Sequence, residues 1–424
     1  MACASLERAP LVVLTDAPAA SAQGLPHQRL DQRALLTPVT KWSATLSAAD
    51  VEELMTAAIA CALDPPCGPV HVDCPISLQT DSHQTGSHQT GSLLSRVVGH
   101  QSDARLAVRF PLLLAGLEAR PHARAIREFC ASRQVPALVT YKAKGVMPDR
   151  DPWFAGVFTN GAIEASVLDQ ADLLITVGLD PVELLPRPWA PPQPTIAIDR
   201  DIPRGLRQAA ERLSPSAWDR EALQRTVAGQ RQRLRMGSDR LTPDGVVLVA
   251  GQQLPGARVT VDAGAHMFPA TLLWPIDEPG GMLISNGLST MGFALPAAIG
   301  AAWLERDRPV VALIGDGGLL MCAGELLTLA REQLPVIVIV FSDSSLSLIE
   351  VKQRQRQLAP AGVSLGDVKW TSMAAAVGIA AHTATSEIEL ARAIAAGVSH
   401  QGPTLIEARV DPSPYASMLR VIRG

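Results

Sequence analysis

The sequence predicts an α/β protein made of three tandem doubly wound units with parallel sheets. Three observations lead there. Continuous apolar runs of strand length recur along the chain, as in Pro309–Ile314 and Val336–Phe341, and a run apolar on both faces marks a strand covered on both sides. Helix-length stretches separate most of these runs, which makes consecutive strands parallel. The chain has 424 residues, too many for one ordinary domain, and 47% of them are apolar against 18% charged.

Taken in order, residues 9–15 read as a buried strand, and a helix is expected over Ser47–Ala62. Ser47 serves there as N-cap, with Asp50, Glu52 and Glu53 in the first turns. A strand over Gly68–Cys74 ends at Pro75. Residues 78–94 lose all periodicity and contain a tandem pentapeptide, Ser82–Gly86 repeated as Ser87–Gly91. His83 and His88 fall in it, and a solvated linker is the expectation. Strands follow at Phe110–Ala115, Ala137–Thr140, Leu173–Gly178 and Thr195–Ile198, with helices such as His122–Arg133 between them. A polar, basic stretch from Arg204 to Arg235 leads to a third unit starting near Thr242. Its strands are Val259–Val261, Met282–Ser285, Val310–Ile314, Val336–Phe341 and Thr404–Ala408, with a helix over Met321–Gln333. The expected domains are 1–77, 100–203 and 242–424, joined by linkers at 78–99 and 204–241.

A net charge of −4 leaves no basic footprint for nucleic acid or an anionic membrane. The apolar runs fall well short of the roughly 20 residues of a membrane span. No secretory signal is visible at Met1–Ala4. The six cysteines show no CxxC pair, so reduced thiols in a cytoplasmic protein are expected. Cys61, Cys67 and Cys74 are close in sequence, but Cys74 sits in a strand-like run with no fourth ligand near.

The chemistry concentrates in the third unit. Asp316 follows one apolar run in Gly315-Asp316-Gly317-Gly318, and Asp343 follows the next. In a parallel β-α-β unit both strands deliver their C-terminal ends to the same sheet edge, which places the two acids together beside a helix N-terminus. Two hard oxygen ligands plus a diphosphate make an octahedral Mg2+ site. Taken alone, Gly-Asp-Gly is weak, because turns collect these residues for backbone reasons. Two further segments strengthen it. Ser285–Gly300 places glycines at a strand-to-helix crossing, and Val261-Asp262-Ala263-Gly264-Ala265-His266 adds a third strand end bearing an imidazole. Three strand ends on one rim make a site.

On these residues the third unit resembles the diphosphate-binding domain of thiamine diphosphate (ThDP) enzymes, in the branch containing acetolactate synthase. The spacing from Gly-Asp-Gly to Ser342-Asp343 matches the family's, and Gly287–Ala301 matches its glycine-rich segment nearly residue for residue. Lys142–Pro148 and Ala171–Gly178 resemble the central domain, while His27–Asp31 and Thr40-Lys41 resemble the second half of the pyrimidine-binding domain. The resemblance implies the ThDP-binding fold with an incomplete first unit. It implies Asp316, Asp343 and the Ser345 carbonyl as Mg2+ ligands. Gly264, His266, Gly315, Gly317 and Gly318 would lie at the diphosphate. Met291 would bend the cofactor, and the Ser289 carbonyl would take its 4′-amino group.

The chain departs from the family at several points. The glutamate that drives ylide formation lies, in the family, before the strand at 9–15, and no residue here matches it; Glu7 is misplaced for the role. No catalytic residue is therefore assigned. That strand is expected to expose an apolar edge unless another chain covers it, with obligate association or poor solubility as the result. Asp343 stands where the family has asparagine, Gly318 where it commonly has serine or asparagine, and Lys352 where acetolactate synthases place an aromatic residue. Lys352 argues against acetolactate as product and suits an anionic or acyl substrate. Leu112–Glu118 keeps a strand but lacks the glycine-rich turn of a flavin or dinucleotide site.

Two readings follow. One is a cytoplasmic ThDP- and magnesium-dependent lyase or transferase (carboligase or 2-keto acid decarboxylase) acting on a small 2-keto acid or acyl substrate. It would work as a homodimer or other homo-oligomer, or with a complementary N-terminal subunit. The alternative is a truncated, non-catalytic ThDP-fold protein or partner subunit that needs a separate chain for the glutamate. A plain dehydrogenase is disfavoured, since no GxGxxG follows any early strand.

Overall fold

The computed structural model describes residues 1–17, 31–47, 49–75, 107–183 and 189–424. The tandem pentapeptide and residues 27–30 of the pyrimidine-domain motif lie outside them. The chain forms two compact units, Met1–Asp103 and Ala104–Gly424, and every strand pairing is parallel.

The first unit holds β1 (Leu11–Ala17), β2 (Trp42–Thr45) and β3 (Pro69–Pro75) in the order β1-β3-β2. Val70 and Val72 of β3 pack on Ala58 and Ala62 of the helix Val51–Leu63. The alternate residues of β3 face the other way. There His71 is fully buried, with its ring nitrogens 2.9 Å from Ser43 Oγ and 2.7 Å from Thr15 Oγ1. Thr15 also donates to Asp73 at 3.0 Å, so this histidine is satisfied within the sheet. Along the β1 edge Leu11 and Leu14 are exposed. The expected Ser47 cap is corrected. The helix starts at Val51 because Ser47 donates its N–H and its hydroxyl to Asp50 Oδ1, which closes a turn ahead of the first helical residue.

The second unit contains two sheets. The central one is β4 (Pro111–Ala115), β5 (Ala137–Val139), β6 (Phe154–Val157), β7 (Leu173–Val177) and β8 (Thr195–Ile198), ordered β6-β5-β4-β7-β8. The other is β9 (Arg258–Val261), β10 (Met282–Ile284), β11 (Val310–Gly315), β12 (Val336–Ser342), β13 (Ala380–Ala384) and β14 (Thr404–Arg409), ordered β10-β9-β11-β12-β14-β13. The basic stretch between them folds as two helices, Ile202–Arg212 and Arg220–Arg233, whose first N–H groups are capped by the Asp201 and Asp219 carboxylates. The single helix expected over Met321–Gln333 is instead two, Asp316–Cys322 and Glu325–Arg331. Gly324 stands at the break, and Asp316 itself opens the first.

A buried ion cluster ties the two sheets together. Asp149 Oδ2 receives Lys144 Nζ at 3.1 Å and Arg231 from the helix Arg220–Arg233 at 2.7 Å. Its Oδ1 accepts the Ile276 N–H at 3.3 Å, and its own N–H donates to the Ile276 carbonyl at 3.1 Å. Arg127 adds bonds to the Gly145, Val146 and Asp277 carbonyls. Gly145, at φ +88°, lets this loop touch the Glu278 backbone, where a Cβ would lie 2.1 Å from the carbonyl oxygen.

Each sheet of the second unit has one point where neighbouring strands lead off to opposite sides, and ligands of doubly wound folds bind at such points. In the central sheet it lies between β4 and β7. Glu183, almost fully buried, occupies it. Its Oε2 accepts from Leu117 N at 2.7 Å and Asp180 N at 3.1 Å, and its Oε1 accepts from the Thr140 hydroxyl. Burial pushes the Glu183 carboxyl up to about 7 against the pull of these three donors. The folded state therefore holds a proton that the unfolded chain releases from its ordinary value of 4.5, and stability falls as pH rises from there to about 7. Glu183→Gln should remove up to about 3 kcal/mol of that slope, read as the pH dependence of the denaturation midpoint.

Candidate functional site

In the six-stranded sheet the change of direction lies between β9 and β11. The strand ends there, together with that of β12, each lead into an acid: Asp262 after β9, Asp316 after β11 and Asp343 after β12. The sheet register makes β11 and β12 neighbours, with Gly315 opposite Phe341. Asp316 and Asp343 are thereby brought together. Asp316 Oδ2 accepts the N–H groups of Asp343 at 3.1 Å and Ser344 at 2.7 Å, and its Oδ1 accepts Gly317 N at 2.8 Å. The Gly317 N–H is thus turned to its neighbour's carboxylate.

The turn after β12 is braced on all sides. Asp343 Oδ1 accepts Ser345 N at 3.0 Å and its Oδ2 accepts the Ser347 hydroxyl at 2.7 Å. The Ser345 hydroxyl donates to Glu350 at 2.7 Å, and Glu350 in turn accepts from Arg354 at 2.6 Å. Leu346 N donates to the Val363 carbonyl and Leu365 N to the Ser344 carbonyl, so residues 344–346 are stitched to 363–365. Lys352 stands exposed on the same helix, Ser347–Gln355.

Burial sets the electrostatics of the pair. Burial raises the Asp316 carboxyl above its usual range. Burial first, and then the charge of Asp316, push Asp343 up to about 7 against the Ser347 hydroxyl bond. Among the described residues no basic side chain pairs with either acid, and no third His, Cys, Asp or Glu joins them. A hard cation suits such a donor set, taking its other oxygens from main chain, water or a ligand. Tyr415 went unremarked in the sequence. It is buried close enough for both acids to hold its hydroxyl protonated, after the larger effect of burial itself.

His266 closes the β9 side. Its ring stacks on Phe341 at 5.0 Å, and the Leu313 carbonyl accepts from one ring nitrogen. The other, Nε2, is buried without a partner. Burial lowers the imidazole to about 4, so the ring is neutral at pH 7. A buried polar atom without a partner is costly unless something fills the place, and a ligand does so. Gly315 faces this ring; a Cβ there would lie 3.2 Å from His266 Cε1. Gly264, at φ +157°, supports the same ring from below, 2.8 Å from its Cε1 by the same measure.

Asp262 organises the rest. Its Oδ2 accepts Gly292 N at 3.0 Å and its Oδ1 accepts Phe293 N at 2.7 Å and Ala294 N at 3.2 Å, capping the helix Ala294–Leu304. A Cβ on Gly318 would fall 1.9 Å from Asp262 Oδ2, so only glycine fits. A Cβ on Gly317 would meet Leu346 at 2.4 Å and Met291 Cε at 3.3 Å, which brings Met291 to the acidic turn. Ser289, at φ +52°, occupies a turn of its own, its hydroxyl donating to the Asn286 carbonyl at 3.3 Å. Sequence reading named Asp262 only as part of a strand end; the signal for it was the same one that marked the other two acids.

Comparison with known proteins identifies the family of the two segments that carry these sheets. Residues 262–408 match the thiamine pyrophosphate enzyme C-terminal TPP binding domain, and residues 106–210 match the thiamine pyrophosphate enzyme central domain. The chain is 27% identical over 430 residues to acetolactate synthase of Bacillus subtilis, covering 91% of this chain and 75% of that protein. It is 29% identical over 462 residues to the catabolic acetolactate synthase of Raoultella terrigena, covering 97% and 81%. It is also 26% identical over 417 residues to Probable 2-ketoarginine decarboxylase AruI of Pseudomonas aeruginosa, covering 91% and 75%. The chain belongs to the thiamine diphosphate-dependent enzymes, in their acetolactate synthase-like branch.

Proposed function

We propose that the protein is a ThDP- and Mg2+-dependent enzyme acting on a small 2-keto acid by lyase, carboligase or decarboxylase chemistry. One observation carries this reading: the desolvated pair Asp316 and Asp343, with no basic side chain beside it among the described residues, stands next to a glycine cradle and an unpartnered buried imidazole nitrogen. In this reading Asp316, Asp343 and the Ser345 carbonyl hold Mg2+, while Gly264, His266, Gly315, Gly317 and Gly318 line the diphosphate. Met291 and Ser289 support the ring system. When bound, ThDP supplies an electron sink for a bond beside a keto carbon.

The relatives named acetolactate synthase and 2-ketoarginine decarboxylase support the 2-keto acid class. Lys352, exposed on the helix Ser347–Gln355, favours a substrate more anionic than that of acetolactate synthesis.

The test is calorimetric titration of the full chain with ThDP in Mg2+ and in EDTA. Saturable binding only with Mg2+ is expected, and no heat in either buffer sinks the reading. A proton count sharpens it. His266 is neutral when the site is empty, so a diphosphate oxygen meeting Nε2 draws a proton onto the ring. Mg2+ at the same time displaces the proton that Asp343 holds up to about 7, so affinity should fall as pH drops below that value. Titrations in two buffers of different ionisation heat isolate the imidazole by difference: His266→Ala should release more protons on binding than the wild type.

A further inference from the structure

The two direction-change points of the second unit are built alike and finished differently. Between β9 and β11 a polar nitrogen is left without a partner; between β4 and β7 the three described donors that converge already have one. The donors at the second point are two main-chain N–H groups, Leu117 and Asp180, and the Thr140 hydroxyl, drawn from the ends of three adjacent strands. Convergent N–H groups at such a crevice are what a doubly wound fold offers to a nucleotide phosphate. Here the two oxygens they hold belong to Glu183.

The surrounding backbone is closed to match. A Cβ on Gly116 would lie 2.5 Å from the Gly178 carbonyl and 2.7 Å from Glu183 Oε2. Gly178, at φ +57°, faces Ala119 N at 2.6 Å by the same measure. The loops after β4 and β7 therefore rest on one another with the carboxyl sealed between them. No pyrophosphate can enter along the same N–H groups unless Glu183 leaves.

We propose that the Glu183 carboxyl is a built-in occupant of an oxygen-binding seat of the central sheet, and that the seat, once vacated, accepts a small carboxylate or the phosphate of a nucleotide. The central sheet of the intact chain accordingly holds no nucleotide. Its site is distinct from that of the Asp316–Asp343 pair, and the proposal stands whether or not the latter binds ThDP.

The experiment is chemical rescue. Glu183→Ala in the full chain should melt several degrees below wild type in chloride. Sodium formate or acetate at the same ionic strength should restore most of that loss, while leaving wild type within a degree of its chloride value. Separate arms with inorganic phosphate and with ADP distinguish a bare oxygen-binding seat from a nucleotide site, a shift with phosphate alone marking the former and a larger shift with ADP the latter. Equal melting of Glu183→Ala in formate, acetate, phosphate, ADP and chloride overturns the proposal. If that variant does not fold, wild type titrated with ADP decides. No binding is expected, and stoichiometric ADP binding that Thr140→Val weakens at least tenfold overturns it.

Discussion

Alanine at position 316 is expected to abolish Mg2+-dependent ThDP binding, a loss of at least about 100-fold, the upper range for disturbing even the groups that merely orient metal ligands. Two causes act together. The carboxylate is one of two that the cation can use, and it is also the acceptor for the N–H groups of Gly317, Asp343 and Ser344. Without it three donors near the site lose their partner at a cost of about 1–3 kcal/mol for each one left dry, and the turn bearing Asp343 is released. A lower melting temperature should accompany the lost binding. Asp343→Asn separates the two causes. It keeps a carbonyl oxygen for the metal and for Ser345 N while removing the charge that Asp316 opposes. Binding should persist in that variant, and the ligand-free protein should melt higher than wild type. Calorimetry with ThDP and Mg2+, paired with thermal melts in EDTA, reads both; unchanged affinity in Asp316→Ala would remove Asp316 from the metal site.

Asp149→Ala is expected to destabilise the second unit by about 3–5 kcal/mol, the range for breaking a buried ion pair from one side. Asp149 and Lys144 are both almost fully buried, and burial lowers the lysine's proton affinity while Asp149 restores it. Alanine leaves an ammonium group in a dry seam with Arg231 beside it, and leaves Ile276 N without its carboxylate. Lys144→Met should cost far less, because it removes the buried charge together with the need to pair it. The double variant Lys144→Met with Asp149→Ala should therefore be more stable than Asp149→Ala alone. Urea denaturation of the four proteins measures this coupling, and simple additivity would refute it.

The interior strands were legible in the sequence because strands covered on both faces are written as unbroken apolar runs. β4, β7, β11 and β12 are such runs, and each falls within a residue or two of its expected place. The three strands that left no such run, β2, β6 and β13, all lie at sheet edges. An edge strand is half covered and need not be apolar throughout, as Ala380–Ala384 shows with His382 and Thr383 in it. The β6 signal is further broken by Gly156 at φ +113°. At the site, Asp316, Asp343, His266 and Met291 were legible because they stand at strand ends or in one glycine-rich segment. The use of Gly317 N by Asp316, and the place of Tyr415, were not. Both depend on approaches between segments far apart in the chain, or on a side chain turning back onto its own backbone, and neither leaves a local pattern.

The fit of Asp262 against Gly318 makes the side chain allowed at one position depend on a residue far away in the chain. A serine at 318 needs the volume that the Asp262 carboxylate fills, and that carboxylate cannot retreat without uncapping Gly292, Phe293 and Ala294. Grafting the commoner family residue into 318 by itself should therefore yield a less stable protein, read as a lower melting temperature, rather than a restored contact.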